Sequence, residues 1–88
     1  MSWRIEVKPS AEKQYLKLDA PTRRRMVDAL RDLESVENPL LHPRMRPLTG
    51  QLKGDYRLRV GGWRILITPD RESKTLFVYA ILPRGDAY

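Results

Sequence analysis

The sequence contains no cysteine and only one histidine, and these two scarcities exclude several kinds of site. Without cysteine the chain forms no disulfide bond and offers no thiolate ligand to a metal. A single imidazole supplies neither a pair of histidines for acid–base catalysis nor the usual ligand set of a zinc site. We therefore expect the protein to hold no metal and no cofactor.

Long apolar segments are lacking as well. No stretch approaches the roughly 18 apolar residues of a membrane span, and residues 1–10 lack the apolar run of a signal peptide. Together with the absence of cysteine, this favours a cytoplasmic protein that does not use a membrane. At 88 residues the chain has room for one domain, residues 1–88. Its core is expected to be thin, because a domain this small buries roughly 60% of the surface exposed on unfolding.

Positive charge is concentrated in the second half of the chain. Residues 1–38 carry 8 Lys and Arg against 7 Asp and Glu, whereas residues 39–88 carry 9 against 4. A basic half on a small domain favours a polyanionic partner, either a nucleic acid or an acidic protein. The alternative is that the charge serves only solubility.

The hydrophobic periodicity predicts one strand and two helices in the first half. Apolar residues alternate over residues 3–7, which is typical of a half-buried strand. They recur at helical spacing over residues 11–18 and again over residues 21–36. Ser10 is expected to cap the first of these helices.

The second half is predicted to be rich in strands. Three prolines in residues 39–47 predict a loop without a regular element. Strands are expected over residues 56–60, 63–68 and 75–82, and the last is apolar on both faces, which favours an interior position. The predicted fold class is α+β, with two N-terminal helices packed on a mainly antiparallel sheet in the order β-α-α-β-β-β.

A two-residue turn at residues 61–62 sets the register of the hairpin around it. This register places Arg59 directly across from Arg64, with Arg57 on the same face of the sheet. Directly opposed like charges destabilise a strand pair by about 0.2–1 kcal/mol. An anion between the two guanidinium groups would reverse that sign, since each presents a planar fork suited to phosphate. Alternatively, both arginines extend into solvent from a polar face.

Other conspicuous residues favour structural roles. His42, between two prolines, is interpreted as a surface residue rather than a catalyst. Trp3 and Trp63 alternate with apolar neighbours, which favours packing in or beside the core. The arginines at positions 23–25 run round a helix surface, where solvation is expected.

Two segments carry a resemblance to a known family. Residues 53–67 read KGDYRLRVGGWRILI, preceded by Leu48, and residues 84–88 read RGDAY. This pattern resembles the RelE/ParE superfamily of type II toxins, and the predicted element order is similar along essentially the whole chain. In the RelE branch the implied activity is mRNA cleavage in the ribosomal A site, blocked by an acidic antitoxin. In the ParE branch the implied target is DNA gyrase, and the ribonuclease residues are generally lost.

The resemblance also implies roles for individual residues. In a RelE-like enzyme Arg64 and Arg84 would clamp the scissile phosphate, and Arg57 and Arg59 would hold flanking phosphates. Tyr88 would stack on a base or orient it. The implied reaction is attack of the RNA 2′-hydroxyl on the adjacent phosphate, and fixed donors would stabilise the charge that develops on the phosphate oxygens.

The chain departs from that pattern at its acid–base positions. Well-known RelE toxins have lysine where Arg57 and Arg59 stand, and arginine stays protonated, so it is a poor general base. Pro83 stands where some relatives place a histidine. Lys53 is the remaining candidate base, and Lys53 and Arg46 are expected to bind RNA. Three functions thus stay open: a ribosome-dependent endoribonuclease, a gyrase inhibitor without nuclease activity, or an inactive member that binds only its antitoxin.

Overall fold

The secondary structure consists of two helices and five strands in residues 3–83, the part of the chain that the computed structural model describes. The helices are α1 (Pro9–Leu16) and α2 (Ala20–Ser35). The strands are β1 (Arg4–Val7), β2 (Met45–Pro47), β3 (Tyr56–Val60), β4 (Trp63–Asp70) and β5 (Thr75–Pro83). The predicted α+β class is confirmed.

All five strands join one sheet in the order β1-β5-β4-β3-β2. Strands β2 to β5 pair antiparallel with their neighbours, whereas β1 pairs parallel with β5, where Arg4 lies beside Thr75. Strand β5 therefore has a neighbour on each side, as its apolar character on both faces predicts. The expectation of a mainly antiparallel sheet is also confirmed.

The prediction of an irregular loop over residues 39–47 is wrong. The segment contains a 3₁₀ turn, Pro39–Leu41, and then β2, which pairs with β3 as the edge of the sheet. An edge strand tolerates proline because its outer side forms no ladder hydrogen bonds. Met45 anchors the strand, since its side chain is only 2% exposed in the core. Three residues are too few for alternation to reveal such a strand.

Helix α1 begins at Pro9, two residues earlier than predicted. Its N-cap residue is Lys8, which makes no side-chain capping bond, so the predicted cap at Ser10 is wrong. Proline suits the first helical position, since its fixed φ is already helical and it has no N–H to leave unpaired. The Ser10 hydroxyl lies inside the first turn and donates instead to the carbonyl of Tyr79 on β5, at 2.8 Å.

Helix α2 begins after Asp19, its N-cap residue. The Asp19 carboxylate accepts hydrogen bonds from the hydroxyl and the backbone N–H of Thr22, at 2.6 and 3.3 Å, and the hydroxyl bond is the main reason its pKa is lowered. The predicted apolar stripe is confirmed, and its members pack in or against the core: Met26, Ala29, Leu30 and Leu33. No helix in residues 3–83 has the length and apolar character needed to cross a membrane.

The core lies between the helices and one face of the sheet. Its most deeply buried strand residues are Leu58, Ile65, Ile67, Leu76 and Val78. Residues that alternate with these along β3 and β4 point to the opposite face, which we call the outer face. On those two strands and the residue before β3, the outer face carries Asp55, Arg57, Arg59, Arg64, Leu66, Thr68 and Asp70.

The tryptophans and the arginine run behave largely as predicted. Trp3 is 8% exposed, and Trp63 is half-buried against the core. Arg24 and Arg25 are exposed on α2. Arg23 is half-buried, and its Nη1 donates to the carbonyl of Leu18 at 2.7 Å, so it holds the chain between the two helices rather than being simply solvated.

Candidate functional site

The hairpin of β3 and β4 has the register that the turn at residues 61–62 predicts. Gly61 has a φ of +59°, in the left-handed region that suits glycine at the first position of a two-residue hairpin turn. On the core face Leu58 pairs with Ile65, and on the outer face Arg59 pairs with Arg64. The predicted opposition of two arginines across the hairpin is therefore confirmed.

A second pair of arginines lies beside the first on the outer face. Arg46 of β2 pairs with Arg57 of β3, and Arg57 is two residues along β3 from Arg59. Arg46 Nη1 donates to the carbonyls of Pro43 and Met45, at 3.0 and 3.1 Å, which fixes its side chain against β2. The sequence identifies Arg46 and Arg57 as site residues, but their pairing depends on β2, which it did not predict.

These arginines line two clefts on the outer face. The first, of about 240 Å³, lies at the hairpin turn. Its lining residues are Arg59, Gly61, Gly62, Trp63 and Arg64. The second, of about 300 Å³, is lined by Pro43, Arg44, Arg46, Arg57 and Arg59. Because Arg59 lines both, the two clefts form one continuous basic surface, which we call the arginine face.

The guanidinium group of Arg57 has an unsatisfied donor. Arg57 is half-buried, and its Nε is shielded from solvent with no hydrogen-bond partner. In residues 3–83 it is the one buried side-chain nitrogen or oxygen in that condition. A buried donor on a charged group costs free energy until an acceptor reaches it. An oxygen of an anion bound in the second cleft would supply that acceptor.

Arg44 also belongs to the arginine face, although no sequence pattern predicts its role. Its backbone N–H donates to His42 Nδ1 at 3.1 Å, and His42 Nε2 lies 2.7 Å from Asp32 Oδ2 on α2. Since Nδ1 accepts a hydrogen bond, the ring proton is assigned to Nε2, which donates to Asp32. This hydrogen bond is the main reason that the pKa of Asp32 is lowered. Arg44 Nη2 lies 3.4 Å from the same carboxylate oxygen.

The interpretation of His42 as a surface residue is therefore wrong in one respect. Its side chain is only 8% exposed, because it fills the space between α2 and the loop before β2. It does not line either cleft of the arginine face. Its role is to position that loop, and through it Arg44.

Comparison with known proteins identifies the family. A model of the ParE toxins of type II toxin–antitoxin systems (parDE) matches residues 5–88. The chain belongs to the ParE toxin family. The match spans almost the whole sequence, and it agrees with the wider RelE/ParE resemblance that residues 53–67 and 84–88 carry. No curated protein sequence matches the chain significantly.

Solved toxin structures share the fold of this ParE-family toxin. The RelBE2 toxin–antitoxin complex of Mycobacterium tuberculosis matches with a TM-score of 0.82 at 21% identity, over 96% of this chain and 100% of that chain. The archaeal RelE–RelB complex of Pyrococcus horikoshii matches at 0.76 and 24% identity, over 99% and 100%. The isolated Escherichia coli RelE toxin matches at 0.72 and 21% identity, over 98% and 88%. At these identities the likeness establishes a common fold.

The remaining predicted site residues of the ParE-family toxin divide into three groups. Arg64 is half-buried and lines the first cleft, whereas Lys53 is exposed on the turn before β3 and lines neither cleft. The structure therefore does not bring Lys53, the candidate base, onto the arginine face. Arg84 and Tyr88 lie outside the described residues, so their predicted roles stay predictions.

Proposed function

We propose that this ParE-family toxin is an endoribonuclease that cleaves mRNA on the ribosome. One observation carries the proposal: two directly opposed arginine pairs, Arg46–Arg57 and Arg59–Arg64, occupy neighbouring positions on one face. Opposed like charges destabilise a sheet, and an anion between them turns the repulsion into attraction. A nucleic-acid backbone supplies anions at regular intervals, which suits a row of such pairs better than an isolated anion does.

The chemistry that suits this face is transfer of a phosphate ester within the RNA strand. The 2′-hydroxyl oxygen attacks its own 3′-phosphate, the bond to the 5′-oxygen of the next nucleotide breaks, and a 2′,3′-cyclic phosphate and a 5′-hydroxyl result. Negative charge gathers on the non-bridging oxygens in the transition state. Fixed donors aimed at those oxygens are often the largest contribution to catalysis. Arg59 and Arg64 are assigned that role, with Arg84 as a further donor.

Proton transfer is not provided by the arginine face itself. Within residues 3–83, the side chains that line its two clefts include no carboxylate, imidazole or ammonium group, and arginine stays protonated. In the proposed reaction the 2′-hydroxyl proton therefore passes to water or to a group of the ribosome, and the departing 5′-oxygen takes a proton from the same surroundings. This need for an outside acceptor favours cleavage of ribosome-bound message over cleavage of free RNA.

The proposed protein partner is an acidic antitoxin. The chain has a formal net charge of +6, and the solved relatives include a toxin–antitoxin complex from M. tuberculosis and a RelE–RelB complex from P. horikoshii. An apolar groove of about 180 Å³ between the helices and the sheet offers a surface for an antitoxin segment that folds on binding. Its side chains include Val7, Tyr15, Val27 and Leu30.

The function is tested by brief induction of the toxin in cells, followed by primer extension on an abundant message. We expect discrete cuts within codons, which disappear when the antitoxin is produced together with the toxin. Arg64→Ala should reduce cutting by about one hundredfold or more, as loss of one transition-state donor does. The matched control is Arg71→Ala, which removes an exposed arginine from the turn between β4 and β5. Uncut message from the wild-type toxin would refute the nuclease function.

Inhibition of DNA gyrase is the second candidate function. It is favoured by the family model, which is that of the ParE toxins. It is also favoured by the lack of a proton acceptor among the cleft-lining residues in the described part of the chain, residues 3–83. A gyrase inhibitor would block supercoiling by purified gyrase and cause double-strand DNA breaks in cells, with message intact. An inactive member would do neither and would bind only its antitoxin.

A further inference from the structure

A third cavity, of about 440 Å³, lies on the outer face beyond the arginine face. Its lining residues are Lys8, Leu52, Asp55, Thr68, Phe77 and Tyr79. It shares no lining residue with the two arginine clefts. Thr68 and Phe77 are cross-strand partners in β4 and β5, so they form adjoining parts of its floor. The volume lies in the range of small-molecule sites.

The cavity lies next to the arginine face along β3. Asp55, Arg57 and Arg59 alternate on the same side of the chain, so each is two residues from the next. Two residues of a strand span about 7 Å, a distance that one nucleotide unit bridges. A strand of RNA whose backbone follows the arginines therefore brings one of its bases to the cavity.

Asp55 is held in the cavity by an unusual feature of β5. Between Leu66 and Ile67 of β4 the register with β5 shifts, because Leu66 pairs with Ala80 and Ile67 with Val78. Tyr79 is the extra residue of this bulge, and its hydroxyl donates to Asp55 Oδ2 at 2.7 Å. Burial, reinforced by the hydrogen bond to Asp55, raises the pKa of the Tyr79 phenol, so it remains a donor at neutral pH. Bulges often aim a side chain at a functional position.

The cavity differs in charge from the arginine face, because it is lined by one acidic and one basic side chain, Asp55 and Lys8. Within residues 3–83, Asp55 is the only acidic residue that lines any of the three cavities. Its carboxylate accepts hydrogen bonds and the Lys8 ammonium donates them, so the pair favours an uncharged part of the RNA that carries donors and an acceptor side by side. A base fits that description. Phe77 provides an aromatic ring for stacking, and Lys8 Nζ lies over this ring, 4.7 Å from its centroid.

We propose that this cavity, lined by Asp55, Phe77, Tyr79 and Lys8, binds a guanine base of the RNA and makes the toxin guanine-selective. Guanine presents two adjacent donors, N1–H and N2–H, to a carboxylate, and its O6 accepts from an ammonium group such as Lys8. Adenine and cytosine place an acceptor beside their donor, and uracil has acceptors on both sides of its single donor, so each would bring a lone pair against Asp55. The inference rests on the proposed ribonuclease function, because it names the substrate preference of that site.

Nucleotide binding to the full-length chain tests the inference without requiring cleavage. Amide NMR shifts are followed during titration with 5′-GMP, 5′-AMP, 5′-CMP and 5′-UMP. We expect GMP to bind about ten- to a hundredfold more tightly than the other three, as a bidentate base contact does, and to shift Asp55, Phe77 and Tyr79. Asp55→Asn should abolish this preference, because one acceptor becomes a donor. Asp28→Asn, the same change at an exposed position on α2, should retain it.

A measurement of folding and a second variant complete the test. The thermal midpoint shows whether Asp55→Asn is folded, and if it is not, Lys8→Gln at an exposed position tests the contact to O6 instead. Equal binding of the four nucleotides, or no binding, would overturn the guanine pocket even if message is cut. GMP binding at Asp55 without any cleavage would support the pocket and refute the nuclease function, so the two failures are distinguishable.

Discussion

Replacement of Arg59 distinguishes the effect of the arginine face on the stability of the fold from its effect on RNA cleavage. Arg59 is exposed, lies across from Arg64 and lines both arginine clefts. Its backbone N–H donates to the carbonyl of Arg44 at 3.2 Å, and that bond survives replacement by alanine. Arg59→Ala should therefore be neutral in stability or raise the free energy of unfolding by about 0.2–1 kcal/mol, the range of a relieved like-charge pair.

The same variant should lose about 10²–10³ in cleavage rate, or about 2.7–4 kcal/mol of transition-state stabilisation, if Arg59 donates to the phosphate. Arg59→Lys should recover part of that, because an ammonium group keeps the charge and not the bidentate fork. The assays are urea unfolding and cleavage of message on programmed ribosomes. A variant that unfolds more easily and cleaves at the wild-type rate would refute the phosphate role and make Arg59 a structural residue.

Two further predictions concern stability. Leu58→Ala should lower the free energy of unfolding, measured in urea, by about 2–5 kcal/mol, because the Leu58 side chain is 0% exposed in the core. The control is Leu41→Ala, at an exposed position. A similar loss of stability in the two variants would contradict the prediction. The pKa of Asp32 is lowered because its ionised carboxylate is hydrogen-bonded to His42. This ionised form stabilises the fold fully at pH values above 3.8, the ordinary pKa of the group, and the stabilisation is lost as the pH falls through the lowered pKa. Asp32→Asn should thus have a lower free energy of unfolding than the wild type at neutral pH and an equal one in strong acid. A difference between the two proteins that persists in strong acid would refute this role of Asp32.

The parts of the fold that the sequence predicted are those with long, regular patterns. The hairpin register followed from the alternation of residues 56–60 and 63–67 around two glycines, and each inward residue reached the core face. Strand β2 was missed because its three residues include a proline and lie in a proline-rich segment. Its pairing depends on packing of Met45 in the core, which local propensity does not reveal.

The candidate site likewise contains some features that the sequence predicts and others that it does not. Arg57, Arg59 and Arg64 were placed on one face because a two-residue turn determines which residues oppose each other. The pairing of Arg46 with Arg57 was missed along with β2. Asp55 and Tyr79 meet only because β5 contains a bulge, and a bulge shifts the register by one residue without a sequence signal such as glycine at that position.

The arginine face has an energetic consequence that bears on how the toxin works. Its two opposed pairs together destabilise the sheet by about 0.4–2 kcal/mol, against the 5–15 kcal/mol by which small domains are usually stable. Replacing them with neutral residues would relieve that cost, so the fold alone does not account for four arginines at these positions. Arginine also differs from lysine in keeping its charge in any environment, so the repulsion cannot be reduced by deprotonation. A bound anion would relieve it. The free toxin is therefore expected to gain stability from any polyanion that fits the face, whether RNA or the acidic segment of an antitoxin.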